Sequence, residues 1–286
     1  MTSQNTRGLI SILFSSFLFG FMALLVKILS GTISAAEILF ARASIGILLF
    51  LFVLFFGHKA FRINNRKMLA VRGLFGGLAV FLYFTAISRI PLSNATMLAN
   101  CYPFFAVLFS AVLIKERPTF GSIMTLLVAF SGMFLILDPH FEKLDIGYVL
   151  ALTSAVFGGV AVTSIRELRK TDSSWVIVFA QLLGAALVCF FPLTAGLRIP
   201  SVREWELLIL IGVVGTAGQL TFTRPFKYIS AFEGSVVALS TSVFAILFSV
   251  LFLEEIMTYQ FILGALLIFG SSLYLIAREE GWTVNK

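Results

Sequence analysis

Arg42 is the residue of this chain best suited to gripping a solute. It lies about eight residues into an apolar run whose nearest acid is Glu37. A guanidinium offers a carboxylate two parallel hydrogen bonds. A charge this deep in apolar sequence is costly unless it faces protein or water, so it marks a candidate site. The alternative is a structural arginine paired with Glu37 or with helix carbonyls. Lys27 is the other cation set within an apolar run, and it either reaches an interface along its stem or faces the same space. Gln181, Gln219 and Asn100 offer neutral hydrogen bonds, Ser242 a hydroxyl, and Tyr83 and Phe222 aromatic walls. These eight residues, Lys27, Arg42, Tyr83, Asn100, Gln181, Gln219, Phe222 and Ser242, form the expected binding set. Glu233 is the first candidate for taking up and releasing a proton within the apolar sequence and so for any proton coupling, and Glu37 the second. Each also suits a helix N-terminus on dipole grounds. Glu116 and Glu255 read as structural groups at turns.

Other chemistry is poorly served. His58 and His140 fall in loops far apart in the membrane topology, and Asp138, Asp145 and Asp172 lie in loops too. No nucleophile elbow, buried acid pair or metal-ligand spacing is present. Gly73–Gly77 reads GLFGG but lacks the following Lys-Ser/Thr of a phosphate loop and lies in an apolar stretch. Cys101 and Cys189 sit in apolar segments and read as small core residues. Neither an enzyme nor a cofactor or metal site is expected.

The elements that position these groups must be membrane helices. The 286 residues are 59% hydrophobic and only 12% charged, about half the charge of a soluble domain. The apolar runs repeatedly exceed the 18 or so residues that mark a membrane span. Ten spans are expected, at about 8–30, 34–56, 68–88, 92–114, 119–137, 145–165, 174–195, 205–226, 231–253 and 259–277. The first is kept as a span rather than a signal peptide, because no small-residue cleavage site follows it. The net charge of +7 sits in short loops, where it orients the chain in the membrane rather than binding nucleic acid.

The stretch 72–137 returns without a gap as 211–276. Gly73 matches Gly212, Gly76 matches Gly215, Tyr83 matches Phe222, and Arg42 matches Gln181. Leu108-Phe109-Ser110 matches Leu247-Phe248-Ser249. A match this long points to duplication, with halves 1–139 and 140–286. With both termini in the cytoplasm, fifteen Lys and Arg residues, Arg72 among them, fall inside and five outside. Five spans per half then force the halves to insert in opposite senses, a signature of secondary transporters with a site near the midplane. In span one, Ser16, Gly20, Ala23 and Lys27 share a face, echoed by Ser154, Gly158 and Ala161 in span six; close helix packing accounts for the small residues. Spans four and nine each present a small polar face: Thr96, Asn100, Pro103 and Ser110 against Ser235, Ser242 and Ser249. Pro103 weakens its helix, in a setting where protein or water must satisfy the freed carbonyl.

The motif IPLSNATMLANCYPFFAVLFSAVLIKE in span four, the FLEE that ends span nine, FGFMALLVK in span one and Arg42 in span two resemble the drug/metabolite transporter superfamily, specifically its ten-span EamA-like branch. The resemblance covers nearly the whole chain. It implies two inverted five-helix repeats around a central cavity, alternating access, and spans five and ten at the periphery. It also implies a small-molecule substrate such as an amino acid, another metabolite or a drug. Ser242 in place of the proline of span four is a departure, because it leaves span nine without a proline at that point.

The expected protein is an all-α, multi-pass carrier of the cell (inner) membrane, monomeric or homodimeric, with lipid and a small solute as its partners. The solute is amino-acid-like or carboxylated; a cationic amphiphile is the rival, and a channel or membrane enzyme lies further off. In a variant with Cys101 and Cys189 replaced, an impermeant thiol reagent added outside cells labels a cysteine placed at Lys143 and spares one at Asn65. The reverse pattern overturns the orientation.

Overall fold

A chain inside lipid has no water for its N–H and C=O groups, so its apolar runs fold as helices that satisfy them internally. The computed structural model describes residues 2–56, 62–115, 120–136, 145–194, 198–254 and 259–281, among which there is no strand. Glu116, Glu255, His58, His140, Asp138 and Lys143 lie outside the described residues. The elements are α1 (Thr2–Leu29), α2 (Ala35–Phe56), α3 (Arg66–Arg89), α4 (Leu92–Ala99), α5 (Tyr102–Phe109) with a π-helical turn (Ser110–Ile114), and α6 (Phe120–Ile136). They continue as α7 (Ile146–Leu168), α8 (Ser174–Leu193), α9 (Val202–Thr223) with a 3₁₀ turn (Arg224–Lys227), α10 (Ala231–Ala238), α11 (Ser240–Leu253) and α12 (Tyr259–Gly281).

Seven stretches of described residues are long and apolar enough to cross a membrane: Gln4–Leu29, Ala35–Phe56, Arg66–Arg89, Leu92–Ile114, Ile146–Leu168, Val202–Lys227 and Ala231–Leu253. At spans five, seven and ten the apolar helices are shorter, Ile123–Leu135, Ser174–Phe190 and Ile262–Ala277. The polarity runs inside out. Phe14, Leu48, Phe52, Phe55, Phe134, Leu187 and Leu251 face outward, while Arg42, Arg72, Asn100, Gln181 and Gln219 are buried. Lipid takes the apolar exterior at no cost, and polar groups must find partners within the bundle.

Two spans are broken at matching points. Span four stops at Ala99, turns through Asn100 and Cys101, and resumes with Pro103 in the first turn of α5, where a proline needs no N–H partner. Span nine breaks at Leu239, the repeat counterpart of Asn100, although no proline is there. Its Leu239 and Ser242 N–H groups instead turn to Val236 O and Leu239 O. Asn100 Nδ2 donates to Ser242 Oγ at 2.7 Å, so the two breaks are joined side chain to side chain. Where the spans end, Lys115 and Glu254, again a matched pair in the repeat, adopt the left-handed conformation at φ 57° and 58°.

Glycines set the helix spacing. Gly20 of α1 lies against Phe244 and Ala245 of α11, and Gly159 of α7 lies against Phe105 and Ala106 of α5. The closest approach in span six thus belongs to Gly159, and Gly158 instead meets Tyr102. Gly77 of α3 packs on Gly184–Ala185 of α8, and Gly46 of α2 packs on Thr216 of α9. Helix α6 packs on α12 through Gly132 against Gly264 and Ile268. The tightest crossing is Gly184 on Gly73, where an added Cβ would stand 2.0 Å from the Gly73 carbonyl oxygen. Both partners there are backbone, so relief requires α3 and α8 to separate.

That geometry predicts that Gly184→Ala destabilises the protein by roughly 1–3 kcal/mol or more through overpacking. Gly270→Ala, whose added methyl meets nothing within 4 Å, should be close to neutral. Thermal unfolding of the two purified variants checks the contrast; equal melting temperatures would contradict the close crossing.

Candidate functional site

A cavity of about 160 Å³ lies within the bundle. Its walls come from α1 (Phe19, Met22), α2 (Arg42), α3 (Arg72 to Tyr83), the Ala99–Tyr102 break, α7, α8 (Gln181), α9 (Gln219, Phe222) and the α10–α11 junction. Helices α6 and α12 line none of it. Most of the wall is apolar and aromatic, with a few polar groups set into it, the usual composition of a small-molecule site.

Six residues of the expected set meet here: Arg42, Tyr83, Asn100, Gln181, Gln219 and Phe222. They stand far apart in sequence and converge because five elements turn their polar positions inward. Arg42 projects from α2, is 1% exposed, and keeps Nε and Nη1 buried without a hydrogen bond to the protein. Gly215 of α9 makes room for it: a Cβ there would stand 2.6 Å from Arg42 Nε. The pairing with Glu37 does not form. Glu37 instead accepts from Ser34 N and Oγ and from Arg198 N, at the start of α2. Tyr83 shares a hydrogen bond of 2.8 Å with Thr96 Oγ1. Ser242 stands behind the wall, accepting from Asn100.

Arg72 corrects the charge balance. It is 3% exposed, lines the same cavity, and donates through Nη2 to Gln181 Oε1, while its Nε is buried without a partner. It is therefore a wall residue of the cavity and not one of the loop charges among which it was counted. Its place in sequence carried the signal, since it sits one turn inside span three. The preceding basic run Arg62–Lys67 made it look like a loop charge. Phe19, Met22, Tyr102 and Gly158 are further wall residues that sequence reasoning missed. One more Phe or Met among so many carries no such signal.

Three expected residues are elsewhere. Lys27 donates from Nζ to Ile87 O and Ile90 O, both at 2.9 Å, and so closes the C-terminal end of α3. Its repeat counterpart Arg166 donates to Phe226 O and Lys227 O at the end of the 3₁₀ turn. Cations suit helix C-termini, where orphan carbonyls collect. Glu233 forms a capping box with Ser230 at the start of α10 and does not line the cavity. Glu37 makes the same arrangement with Ser34.

A bundle that is apolar outside and encloses a polar-studded pocket is a multi-pass membrane protein built to hold a small solute. The chain belongs to the EamA-like transporter family, whose sequence profile matches residues 6–138 and again 145–277. It is a membrane transporter and not an enzyme. The pseudopaline exporter CntI of Pseudomonas aeruginosa is 36% identical over 96% of this chain and 97% of the relative. Solute carrier family 35 member G1 of Mus musculus is 26% identical over 93% of this chain and 77% of its own. One protein crystal structure superposes with a TM-score of 0.68 at 20% identity, covering 95% of this chain and 99% of its own, and shares the fold.

The Arg72–Gln181 contact predicts a stability coupling. Gln181→Leu leaves a buried guanidinium with one acceptor fewer, at a cost of about 2 kcal/mol. With Arg72→Met already in place, the same change should cost far less. A double-mutant cycle on purified protein reads this, and additive costs would show that the contact contributes nothing.

Proposed function

We propose that this protein is a secondary transporter that carries a small carboxylated metabolite, amino-acid-like or otherwise, by alternating access through the cavity around Arg42. The observation that carries the reading is the buried Arg42, which lines the cavity while its Nε and Nη1 have no hydrogen-bond partner in the protein. A buried charge is tolerated when something neutralises it, and a solute carboxylate does so with bonds a guanidinium is shaped to give. Gln219 and Asn100 then orient the rest of the solute, and Phe19, Tyr83 and Phe222 receive its apolar part.

The reading takes the chain as ten spans in two inverted halves, 1–139 and 140–286, in the cell (inner) membrane with both termini cytoplasmic. Support comes from contacts that recur between matched positions: Gly20 with Phe244 and Gly159 with Phe105, Gly46 with Thr216 and Gly77 with Ala185, and the caps by Lys27 and Arg166. The two profile matches, which begin at 6 and at 145, have the same register. Inverted repeats are the frame on which many carriers expose one central site to either side in turn. Outward movement is favoured by the relative named as an exporter. Glu233 and Glu37 remain the acids to examine for proton coupling, but both are engaged in helix caps. Exchange or gradient-driven export therefore suits the geometry better than a proton relay through either. The rival cargo, a cationic amphiphile, matches the aromatic walls but would face two arginines and no acid in the lining.

In folded, reconstituted protein, Arg42→Lys should weaken binding of carboxylated solutes and Arg42→Gln should weaken it further, because Lys keeps the charge but loses the two-pronged geometry. Full affinity in both variants would make Arg42 a structural residue and remove the basis for a carboxylated cargo.

A further inference from the structure

The cavity holds two positive charges. Arg42 enters it from α2 and Arg72 from α3, and no Asp or Glu lines it. The described residues contain no ion pair to either guanidinium; the closest polar partner of Arg72 is the neutral amide of Gln181. Each arginine lies against a glycine, and the two glycines are repeat counterparts. A Cβ at Gly76 would stand 3.1 Å from Arg72 Nη1, and one at Gly215 would stand 2.6 Å from Arg42 Nε. Backbone is thus brought close to both guanidiniums by matching means in the two halves, although the arginines themselves do not match in sequence. Arg42 aligns with Gln181, and Arg72 aligns with Ile211.

We infer that the transported solute is a dianion, carrying two carboxylates or equivalent acidic groups on one small skeleton, with one group held by Arg42 and the other by Arg72. This rests on the carboxylate reading above and deepens it. The two guanidiniums repel each other across a space of low polarity. A single carboxylate neutralises one and leaves the other buried and uncompensated, which is costly. A second acidic group removes that cost, so the site rejects a half-amide by what it leaves unpaired rather than by its size. Gln181 has a defined part: it holds Arg72 through Oε1 while the solute's second acid takes the remaining donors.

The test compares matched pairs on purified protein by calorimetric titration: glutarate against glutaramate, and succinate against succinamate. Each pair differs by one carboxylate turned to an amide of nearly equal size. The diacid of each pair should bind roughly tenfold or more tightly in the unmodified protein. Arg42→Gln and Arg72→Gln should each bring that ratio close to one, and Arg72→Lys should keep part of it. Unliganded melting temperature and elution volume confirm that each variant is folded, and the comparison on the unmodified protein needs no variant at all. Equal affinity for diacid and half-amide, with both dependent on Arg42, would overturn the dianion and leave the carboxylated cargo standing. Binding of none of the four would overturn the carboxylated cargo itself.

Discussion

Two guanidiniums held inside an apolar bundle are the constraint on which this structure turns. Taking a charge out of water costs several kcal/mol even after relaxation, and Arg42 and Arg72 together lack a single carboxylate to offset it. Such groups must be held there by the rigid helices around them, and on the proposed function an opposite charge on the cargo completes the site. The rest follows from that need. Glycines at 76 and 215 let the guanidiniums lie against backbone, Gln181 holds one of them, and the broken helices put Asn100 at the wall. Function and stability pull apart here, since an apolar pair at these positions would pack more cheaply and bind nothing charged.

The duplicated frame and the changed residue types of the lining divide the work. Contacts that build the bundle recur between matched positions of the two halves: the Gly20 and Gly159 crossings, the caps by Lys27 and Arg166, and the left-handed turns at Lys115 and Glu254. The cavity repeats in position but not in residue type: Met22, Val80 and Tyr102 of its wall are answered by Ala161, Gln219 and Thr241. Gln181 stands where the repeat would put a second Arg42, Phe222 where it would put a second Tyr83, and Ile211 is the counterpart of Arg72. Duplication supplies two similar scaffolds; substitution inside the cavity then makes its two sides chemically different.

Much of this was legible in the chain. Arg42, Gln181, Gln219 and Asn100 stand out because polar groups are rare in apolar runs, and they do line the cavity. The illegible part came from distance. Lys27 has no sequence neighbour that announces its partners, because its acceptors are sixty and sixty-three residues away. Arg72 was masked by the basic residues before it. Glu37 and Glu233 were readable after all: each is the fourth residue of a Ser-x-x-Glu pattern, which is a capping box. Their rarity as acids near the membrane drew attention to chemistry where local geometry was the better guide. The break in span nine had no proline to mark it, and the contact of Asn100 with Ser242 that joins the two broken spans is visible only in the tertiary structure.

The account stands or falls on solute exchange through one saturable site. Proteoliposomes holding the purified protein and loaded with unlabelled glutarate are diluted into a trace of labelled glutarate. The account predicts transient accumulation of label above its equilibrium level, with an initial rate that saturates as external glutarate rises. Label that only drifts to equilibrium, at a rate linear in concentration and unaffected by the internal load, would contradict a carrier with this cavity as its binding site.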